Sequence, residues 1–227
     1  MKKTFYTEWA YVFGLLTLGF STALMEKADF GLSMVIAPAY ILHLKIVQFL
    51  PFFSFGMAGY TVEGLLILAL IVVTRKAKLS YFLSFVTAFL YGWVLDGFVW
   101  LLGGLPADTI AMRLVCYAVG LVFCALGVSL MFHTYFAPEA YELFVKELSD
   151  TYGWKITTCK TCYDCISCAV AVCLSFAFFG FGEFHGVKLG TVFCALVNGW
   201  LIGRFSHLLE RHFTFTDRLK ARALFTK

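Results

Sequence analysis

The stretch Tyr11-Val-Phe-Gly14-Leu-Leu-Thr-Leu-Gly-Phe-Ser-Thr-Ala-Leu24-Met25 has a counterpart 106 positions later in the chain. The counterpart begins Tyr117-Ala-Val-Gly120-Leu121 and ends Ser129-Leu130-Met131. A second pair of segments matches at nearly the same offset, because Gly92-Trp93 returns as Gly199-Trp200. Matched order at a near-constant offset indicates an internal duplication. We therefore expect two halves, residues 1–106 and 107–210, followed by a basic tail at 211–227.

The composition of the chain is that of an integral membrane protein. Hydrophobic residues make up 61% of the 227 residues, and charged residues only 14%, whereas about a quarter of the residues of a soluble domain are charged. A soluble fold of this length could not cover so much apolar surface. The apolar run that follows Lys2 and Lys3 is long enough to span a bilayer and opens the repeat, so we interpret it as a span rather than a cleaved signal peptide.

Six segments are long and apolar enough to cross a bilayer as helices. They are Trp9–Ala28, Met57–Thr74, Ser80–Leu102, Met112–Thr134, Thr161–Phe181 and Leu189–Leu209. A shorter and more polar segment follows the first span of each half, at Phe30–Leu50 and at Phe136–Tyr152. Pro38 is expected to interrupt the first of these segments, and Pro138 to start a helix in the second. Each short segment is either a re-entrant helix or an amphipathic helix on the membrane surface.

The distribution of Lys and Arg predicts the orientation of the chain. With the N-terminus in the cytoplasm, fourteen of the eighteen basic residues face inward, and the four outside are Lys27, Lys45, Arg113 and Lys188. Because basic residues concentrate in cytoplasmic loops, both termini are expected in the cytoplasm. Three spans per half then make the duplication an inverted-topology repeat. This architecture is common in secondary transporters, with the substrate site near the membrane midplane where the repeats meet.

Charged residues inside spans are costly and often functional, so they are the first candidates for a substrate site. Glu63 and Asp164 lie at similar positions in the equivalent spans of the two halves, shortly after Tyr60 and directly after Tyr163. If these spans meet, two carboxylates and two phenols converge near the centre, where a buried carboxyl can bind a proton near neutral pH. The alternatives are a helix salt bridge between Asp164 and Lys160, and a Glu63 carboxyl hydrogen-bonded to a neighbouring helix.

Four further residues complete the predicted site. Asp96 lies within the third span, where a carboxylate either binds substrate or faces an aqueous vestibule. Asn198 precedes Gly199-Trp200 and could hydrogen-bond another helix. Glu139 and Ser33 occupy matching positions at the two short segments, and we expect both to line the site. For Glu139 and the nearby Glu142, stabilisation by the dipole of a helix N-terminus is the alternative role.

A run of four cysteines, Cys159-x-x-Cys162-x-x-Cys165-x-x-Cys168, has a spacing known from metal sites. Steps of three residues on an α-helix spread the sulfur atoms around the axis, so all four cannot reach one metal ion. We expect ordinary apolar packing, and no metal or cofactor. No phosphate loop, nucleophile elbow or metalloprotease helix is present, so an enzyme is not expected.

Two stretches resemble the YczE/YyaS/YitT-like family of bacterial multi-pass membrane proteins. They are Ala23-Leu-Met-Glu-Lys-Ala-Asp-Phe-Gly-Leu-Ser33 and Gly190-Thr191…Ala195-Leu-Val-Asn198-Gly199…Ile202-Gly203. The chain departs from the family pattern by lacking a proline after Ser33, and Glu139 stands where members often carry Asp. The resemblance implies the multi-pass fold and a location in the bacterial cytoplasmic membrane, and it implies little about the substrate.

The sequence therefore predicts an all-α membrane protein of six transmembrane helices in two inverted repeats, each with an extra short helix. The expected function is small-molecule transport, coupled to protons or ions. Two alternatives remain open: the substrate-binding membrane subunit of an energy-coupled importer, and a structural or regulatory membrane factor. Expected partners are a small molecule or ion and, at the basic tail, anionic lipid headgroups. A homodimer is left open, and nucleic acid is not expected.

Overall fold

The computed structural model describes residues 2–182 and 184–219, and these form eight α-helices and two short β-strands. Six of the helices are long and apolar enough to cross a membrane. The elements, in chain order, are β1 (Lys3–Tyr6), α1 (Thr7–Ala28), α2 (Ala37–Ile46), α3 (Phe55–Thr74), α4 (Leu79–Leu102), α5 (Ile110–Phe132), α6 (Ala140–Tyr152), α7 (Ile156–Phe179), α8 (Leu189–His212) and β2 (Phe213–Thr216). The multi-pass helical prediction is confirmed, and the six long helices match the six expected spans.

The first span of each half forms the centre of the fold. Helices α1 and α5 pack tightly against each other, and α4 and α8 pack on α1 and α5 respectively. Two glycines permit the close approach of α1 and α5. A Cβ added at Gly14 would lie 2.9 Å from the sulfur of Met131, and one added at Gly120 would lie 2.8 Å from the Cγ of Met25. Gly14 and Met25 lie 106 positions before Gly120 and Met131, so the two contacts join positions that correspond in the expected repeat.

The short helix α6 runs from the middle of the bundle to one of its ends. The backbone N–H of Ala140 in its first turn donates to the Glu63 carboxylate, near the middle of α3, at 3.2 Å. At the other end, Glu147 accepts two hydrogen bonds from the ammonium of Lys78, which directly precedes α4, at 2.6 and 2.7 Å. The Glu147 carboxylate is a strong acceptor at close range, and this bond raises the pKa of Lys78.

Helix α2 also starts near the middle of the bundle, but it runs to the end opposite the one that α6 reaches. Just before it, the carbonyl of Met34 accepts a hydrogen bond at 2.7 Å from Ser167, near the middle of α7. At its end, the Lys45 ammonium donates to the carbonyl of Phe178 in the last turn of α7, at 3.5 Å. Pro38 lies in the first turn of α2, where a missing N–H is tolerated, so it begins a helix here rather than interrupting one.

The structure also contains two short strands, which the all-α prediction did not include. Strands β1 and β2 pair in parallel, with Lys3 opposite Phe213 and Tyr6 opposite Thr216. The tail predicted at 211–227 therefore begins inside α8 and continues as β2, and its residues 220–227 lie outside the described part. Because β1 directly precedes α1 and β2 directly follows α8, the start of α1 and the end of α8 lie on the same side of the bundle. A chain that starts and ends on the same side must cross the bundle an even number of times.

Candidate functional site

A cavity of about 200 Å³ lies between the starts of the two short helices and the long helices around them. Both halves of the chain contribute to its wall. Its apolar lining includes Leu18, Met25 and Val128, and its polar or charged lining consists of Thr22, Ser33, Tyr91, Glu139, Tyr141, Glu142, Lys160, Asp164 and Asn198, with the thiols of Cys124 and Cys194. The cavity therefore combines apolar walls with a group of carboxylates.

Hydroxyl groups of α4 hold Glu139 at the cavity. The chain leaves α5 and returns into the bundle, and its carbonyl groups accept hydrogen bonds there. Ser84 donates to the carbonyl of Pro138 at 2.5 Å, and Thr87 donates to the carbonyl of Ala137 at 3.1 Å. Both hydroxyls are buried. They satisfy backbone groups that an apolar environment would otherwise leave unpaired, and they fix the residue that precedes α6.

Three carboxyl groups meet at the N-terminus of α6, contributed by Glu63, Glu139 and Glu142. The Glu63 carboxylate accepts the Ala140 N–H and so caps the helix from α3. This contact matches the alternative of a carboxyl hydrogen-bonded to a neighbouring helix. Helix α6 lies between α3 and α7 and packs against both, so Glu63 is a neighbour of Glu139 and Glu142 rather than of Asp164.

The short helix α6 is not one of the six candidate spans, and burial governs the protonation of its two cavity carboxyls. Burial raises the pKa of Glu139 well above its usual range, and the neighbouring charges of Glu63 and Glu142 act in the same direction. Burial also raises the pKa of Glu142, against a hydrogen bond of 3.0 Å from the Tyr141 hydroxyl and the charge of Lys160. Burial therefore favours the protonated form of both side chains.

Asp164 and Lys160 face the same cavity from α7. They do not form an ion pair within 4.0 Å in the described part of the chain, so the predicted helix salt bridge is absent there. The Lys160 ammonium lies instead 5.9 Å from the ring centroid of Tyr141. One cation thus faces three cavity carboxyls, those of Glu139, Glu142 and Asp164.

On the first-half side, residues 33–36 form the wall, including Ser33. The carbonyl of Ser33 accepts from the N–H groups of Ile36 and Ala37, at 3.1 and 3.0 Å, which begins the turn into α2. The N–H of Leu32 donates to the carbonyl of Gly186 at 2.9 Å. Backbone bonds to the second half therefore hold this segment at the cavity.

Asn198 lines the cavity from α8. Its side-chain amide nitrogen lies 3.7 Å from the Cys124 sulfur, a weak interaction. Its amide oxygen is buried and has no hydrogen-bond partner among the described residues. A buried acceptor without a donor costs free energy, and a hydrogen bond donated to this oxygen by a ligand would recover that cost.

Of the eight predicted site residues, Ser33, Glu139, Asp164 and Asn198 line the cavity. The other four lie behind or outside its wall. Tyr163 stacks on Tyr141 with ring centroids 6.0 Å apart, Tyr60 packs on Phe89 at 5.3 Å, Glu63 caps α6, and Asp96 accepts hydrogen bonds from Ser54 and from the backbone of Gly56.

Sequence reasoning missed five polar or charged lining residues: Thr22, Tyr91, Tyr141, Glu142 and Lys160. Tyr91 directly precedes the repeated Gly92-Trp93, and its hydroxyl lies 2.8 Å from that of Thr22. Its position beside a repeated motif is the signal that could have identified it. Glu142 was attributed to the helix dipole, because acidic residues in a first turn are common for that reason.

The four cysteines of the 159–168 run lie on one continuous helix, α7. Cys159 is buried, Cys168 is half-buried, and Cys162 and Cys165 are exposed, so their sulfur atoms point in different directions. No group of three metal-binding side chains is found within the described ranges.

The chain matches one protein family over most of its length. The sequence model of the "Family of unknown function (DUF6198)" matches residues 5–207. The chain belongs to this family. It is also similar to the "Uncharacterized protein YyaS" of Bacillus subtilis (strain 168), with 24% identity over 212 residues that cover 92% of this chain and 96% of the relative. The resemblance to YyaS-like proteins is thus confirmed. No solved structure matches the chain.

Proposed function

We propose that this protein is a small-molecule transporter and that the cavity between the two halves is its substrate site. The observation that carries the proposal is the lining itself. Glu139, Glu142, Asp164 and Asn198 converge on one cavity, and the side chains of Glu139 and Glu142 are half-buried there. Ionisable side chains inside a membrane protein are expensive, and they mark substrate or proton pathways.

The contacts of the central helices support an inverted repeat. Gly14 meets Met131, and the equivalent Gly120 meets Met25. Reciprocal contacts between equivalent positions are what a two-fold axis produces. With three spans in each half, that axis lies in the membrane plane. We assign residues 1–106 and 107–210 to the two repeats on this basis.

The same axis would relate the two short helices as re-entrant elements. Helix α6 contacts the second span of the first half, and α2 contacts the second span of the second half. Each begins beside the middle of the span it contacts, through Glu63 with Ala140 and through Ser167 with Met34. Two half-crossing helices that start at the midplane from opposite sides would account for these contacts. Discontinuous helices of this kind build the substrate sites of several transporter folds.

The coupling ion in this proposal is the proton, and the site of exchange is Glu139 with Glu142. Burial raises the pKa of both carboxyls, so each can release a proton when a cationic substrate arrives and regain it when the substrate leaves. The membrane would be the bacterial cytoplasmic membrane with both chain ends inside, as the excess of Lys and Arg on that side predicts. The basic residues after Arg211 would contact anionic lipid headgroups.

The test combines binding and transport. Purified protein is screened by thermal shift against a panel of metabolites and small amines, beside the variants Glu139→Gln and Asp164→Asn. Asp150→Asn is the matched control, since Asp150 is an exposed residue of the same α6. Hits are then tested for saturable flux in proteoliposomes with an internal pH dye. We expect at least one compound to stabilise the wild type and the control only, and to drive proton flux.

Two outcomes separate the alternatives. A compound that binds in the cavity but is never translocated would favour a binding-only membrane subunit. Hits that survive both carboxylate substitutions would show that the cavity is not the substrate site, and a structural or regulatory role would then be favoured.

A further inference from the structure

The two halves differ in how their last long helix packs. In the first half, α3 and α4 pack closely, with Gly56 against Gly92; a Cβ added at Gly92 would lie 2.9 Å from the carbonyl oxygen of Gly56. The equivalent helices of the second half are α7 and α8. No packing interface joins them within residues 2–182 and 184–219. The contact of α4 with α6 likewise has no counterpart between α8 and α2 among the described residues, whereas the remaining helix contacts occur in matching pairs, so both differences concern α8.

The cavity lies at this unpacked side. Lys160 and Asp164 line it from α7, and Ala195, Asn198 and Gly199 line it from α8. Ala195 and Gly199 are exposed, although they lie in the middle of a membrane-crossing helix. Gly199 is the repeat equivalent of Gly92, and a Cβ added there would meet no atom within 4 Å. The cavity wall therefore reaches the lipid-facing surface between α7 and α8.

The chemistry of the lining indicates what would enter. Three carboxyl groups face a single lysine, and the buried oxygen of Asn198 has no donor. These groups favour a positively charged ligand, and a primary ammonium also supplies three N–H donors. The cavity volume of about 200 Å³ is below the range of about 300–1,000 Å³ that holds a whole drug-sized ligand. A head group fits inside, and an attached chain would lie in the opening.

We propose that the opening between α7 and α8 is a lateral entrance, through which an amphipathic primary amine passes from the membrane into the cavity. The inference rests on the proposed function, because it takes the cavity as the substrate site. The ammonium would lie among Glu139, Glu142 and Asp164 and donate to Asn198. The apolar chain would lie between the exposed faces of α7 and α8, in surroundings as apolar as the lipid that it leaves.

The experiment uses the whole chain in lipid nanodiscs and a decylammonium probe with a diazirine at the far end of its chain. After photolysis, labelled positions are mapped by mass spectrometry. We expect label on α7 and α8 beside the opening, competed by unlabelled decylammonium and by high concentrations of ethylammonium. An anionic decyl sulfate probe should not label these positions in a competable manner. If the closed α3–α4 surface is labelled in the same yield as α7 and α8, and this label is also competed, the proposed entrance is wrong.

Two glycine variants separate the entrance from the cavity. Gly199→Phe fills the opening, and Gly97→Phe adds the same ring at another open position, on α4. We expect Gly199→Phe to reduce competable labelling at least tenfold and Gly97→Phe to leave it within twofold. If ethylammonium still binds in a manner that needs Glu139, while Gly199→Phe has no effect, the cavity stands and the lateral entrance is wrong. If no ammonium compound binds, the assignment of the cavity as the substrate site and the lateral entrance are both wrong. A change of oligomer mass in Gly199→Phe would assign the opening to a subunit interface instead.

Discussion

The backbone N–H of Gly56 donates to the carboxylate of Asp96 at 2.7 Å, and this bond ties the first turn of α3 to α4. The second oxygen of Asp96 accepts from the hydroxyl of Ser54 at 2.5 Å, and Ser54 in turn caps the N–H of Met57. Both carboxylate oxygens are therefore engaged with the start of a helix, where the dipole favours negative charge.

The first prediction concerns Asp96. Replacing it with Ala removes two hydrogen bonds to a charged group, and we expect the free energy of unfolding to fall by about 1.5–3 kcal/mol. Ligand affinity at the cavity should not change. Unfolding in mixed micelles measures the first quantity and a binding assay the second, with the exposed Asp108→Ala as the control. Unchanged stability together with lost binding would instead make Asp96 a substrate residue.

The second prediction compares two equivalent glycines. Gly92→Ala forces a methyl group against the Gly56 carbonyl and the ring of Tyr60, and overpacking of this kind costs about 1–3 kcal/mol. Gly199→Ala meets open space and should leave the free energy of unfolding unchanged or slightly raised. Thermal denaturation of both variants in detergent makes the comparison. Equal losses would show that α7 and α8 pack as closely as α3 and α4 do.

The third prediction concerns pH. The pKa of Glu139 is raised above its ordinary value of 4.5, so between 4.5 and the raised pKa the carboxyl holds a proton, and raising the pH creates negative charge. The affinity for a quaternary alkylammonium, whose own charge does not titrate, should therefore increase with pH in this window. The ionisable groups around Glu139 or at the same cavity are Tyr11, Glu63, Tyr91, Cys124, Tyr141, Glu142, Lys160, Tyr163 and Asp164.

Isothermal titration at a series of pH values in nanodiscs measures this affinity. Glu139→Gln should weaken binding at high pH and flatten the profile. Asp150→Asn should leave the profile as in the wild type. An affinity that falls as pH rises would contradict the assignment, because protonated carboxyls would then be the binding form.

The fourth prediction concerns the end of the bundle opposite the strands. Asp29 accepts from the Arg113 guanidinium and from the Lys188 ammonium, each at 2.6 Å, and so joins the end of α1 to the starts of α5 and α8. All three side chains are partly exposed. Such pairs contribute about 0–1 kcal/mol each. Asn tolerates the left-handed backbone of Asp29 (φ 54°), so Asp29→Asn removes the charge alone.

The loss of stability in Asp29→Asn should shrink with salt, since the Debye length falls from about 30 Å at 0.01 M to about 3 Å at 1 M. Denaturation midpoints at the two salt concentrations measure it. A salt-independent loss would mean that hydrogen bonding, rather than charge, holds the three helices together.

The span boundaries were predictable because hydrophobic length alone determines which segments can cross a bilayer. The predicted span Leu189–Leu209 and the observed helix Leu189–His212 begin at the same residue. The predicted convergence of Glu63 with Asp164 is not observed, and the sequence could not reveal this because it depends on what lies between α3 and α7. Helix α6 occupies that space and brings Glu139 to Glu63 instead.

The sequence could not predict that Tyr91 and Lys160 line the cavity, for a related reason. Each lies on a long helix with many other candidate positions, and only the tertiary packing decides which face meets the cavity. The two strands escaped prediction because Lys3–Tyr6 and Phe213–Thr216 are each four residues long. Strands this short carry too little periodicity to be distinguished from the ends of the adjacent spans.

The pairing of β1 with β2 also bears on biosynthesis. Strand β1 precedes α1 in the chain and β2 follows α8, so the sheet can form only after α8 has been made. Thr7 then donates to Asp217 at 2.9 Å, and Glu8 accepts from the backbone of Arg218 and Leu219 at 3.0 and 2.7 Å. Protease resistance of the N-terminal segment would thus report, during translation in vitro, that α8 has been made.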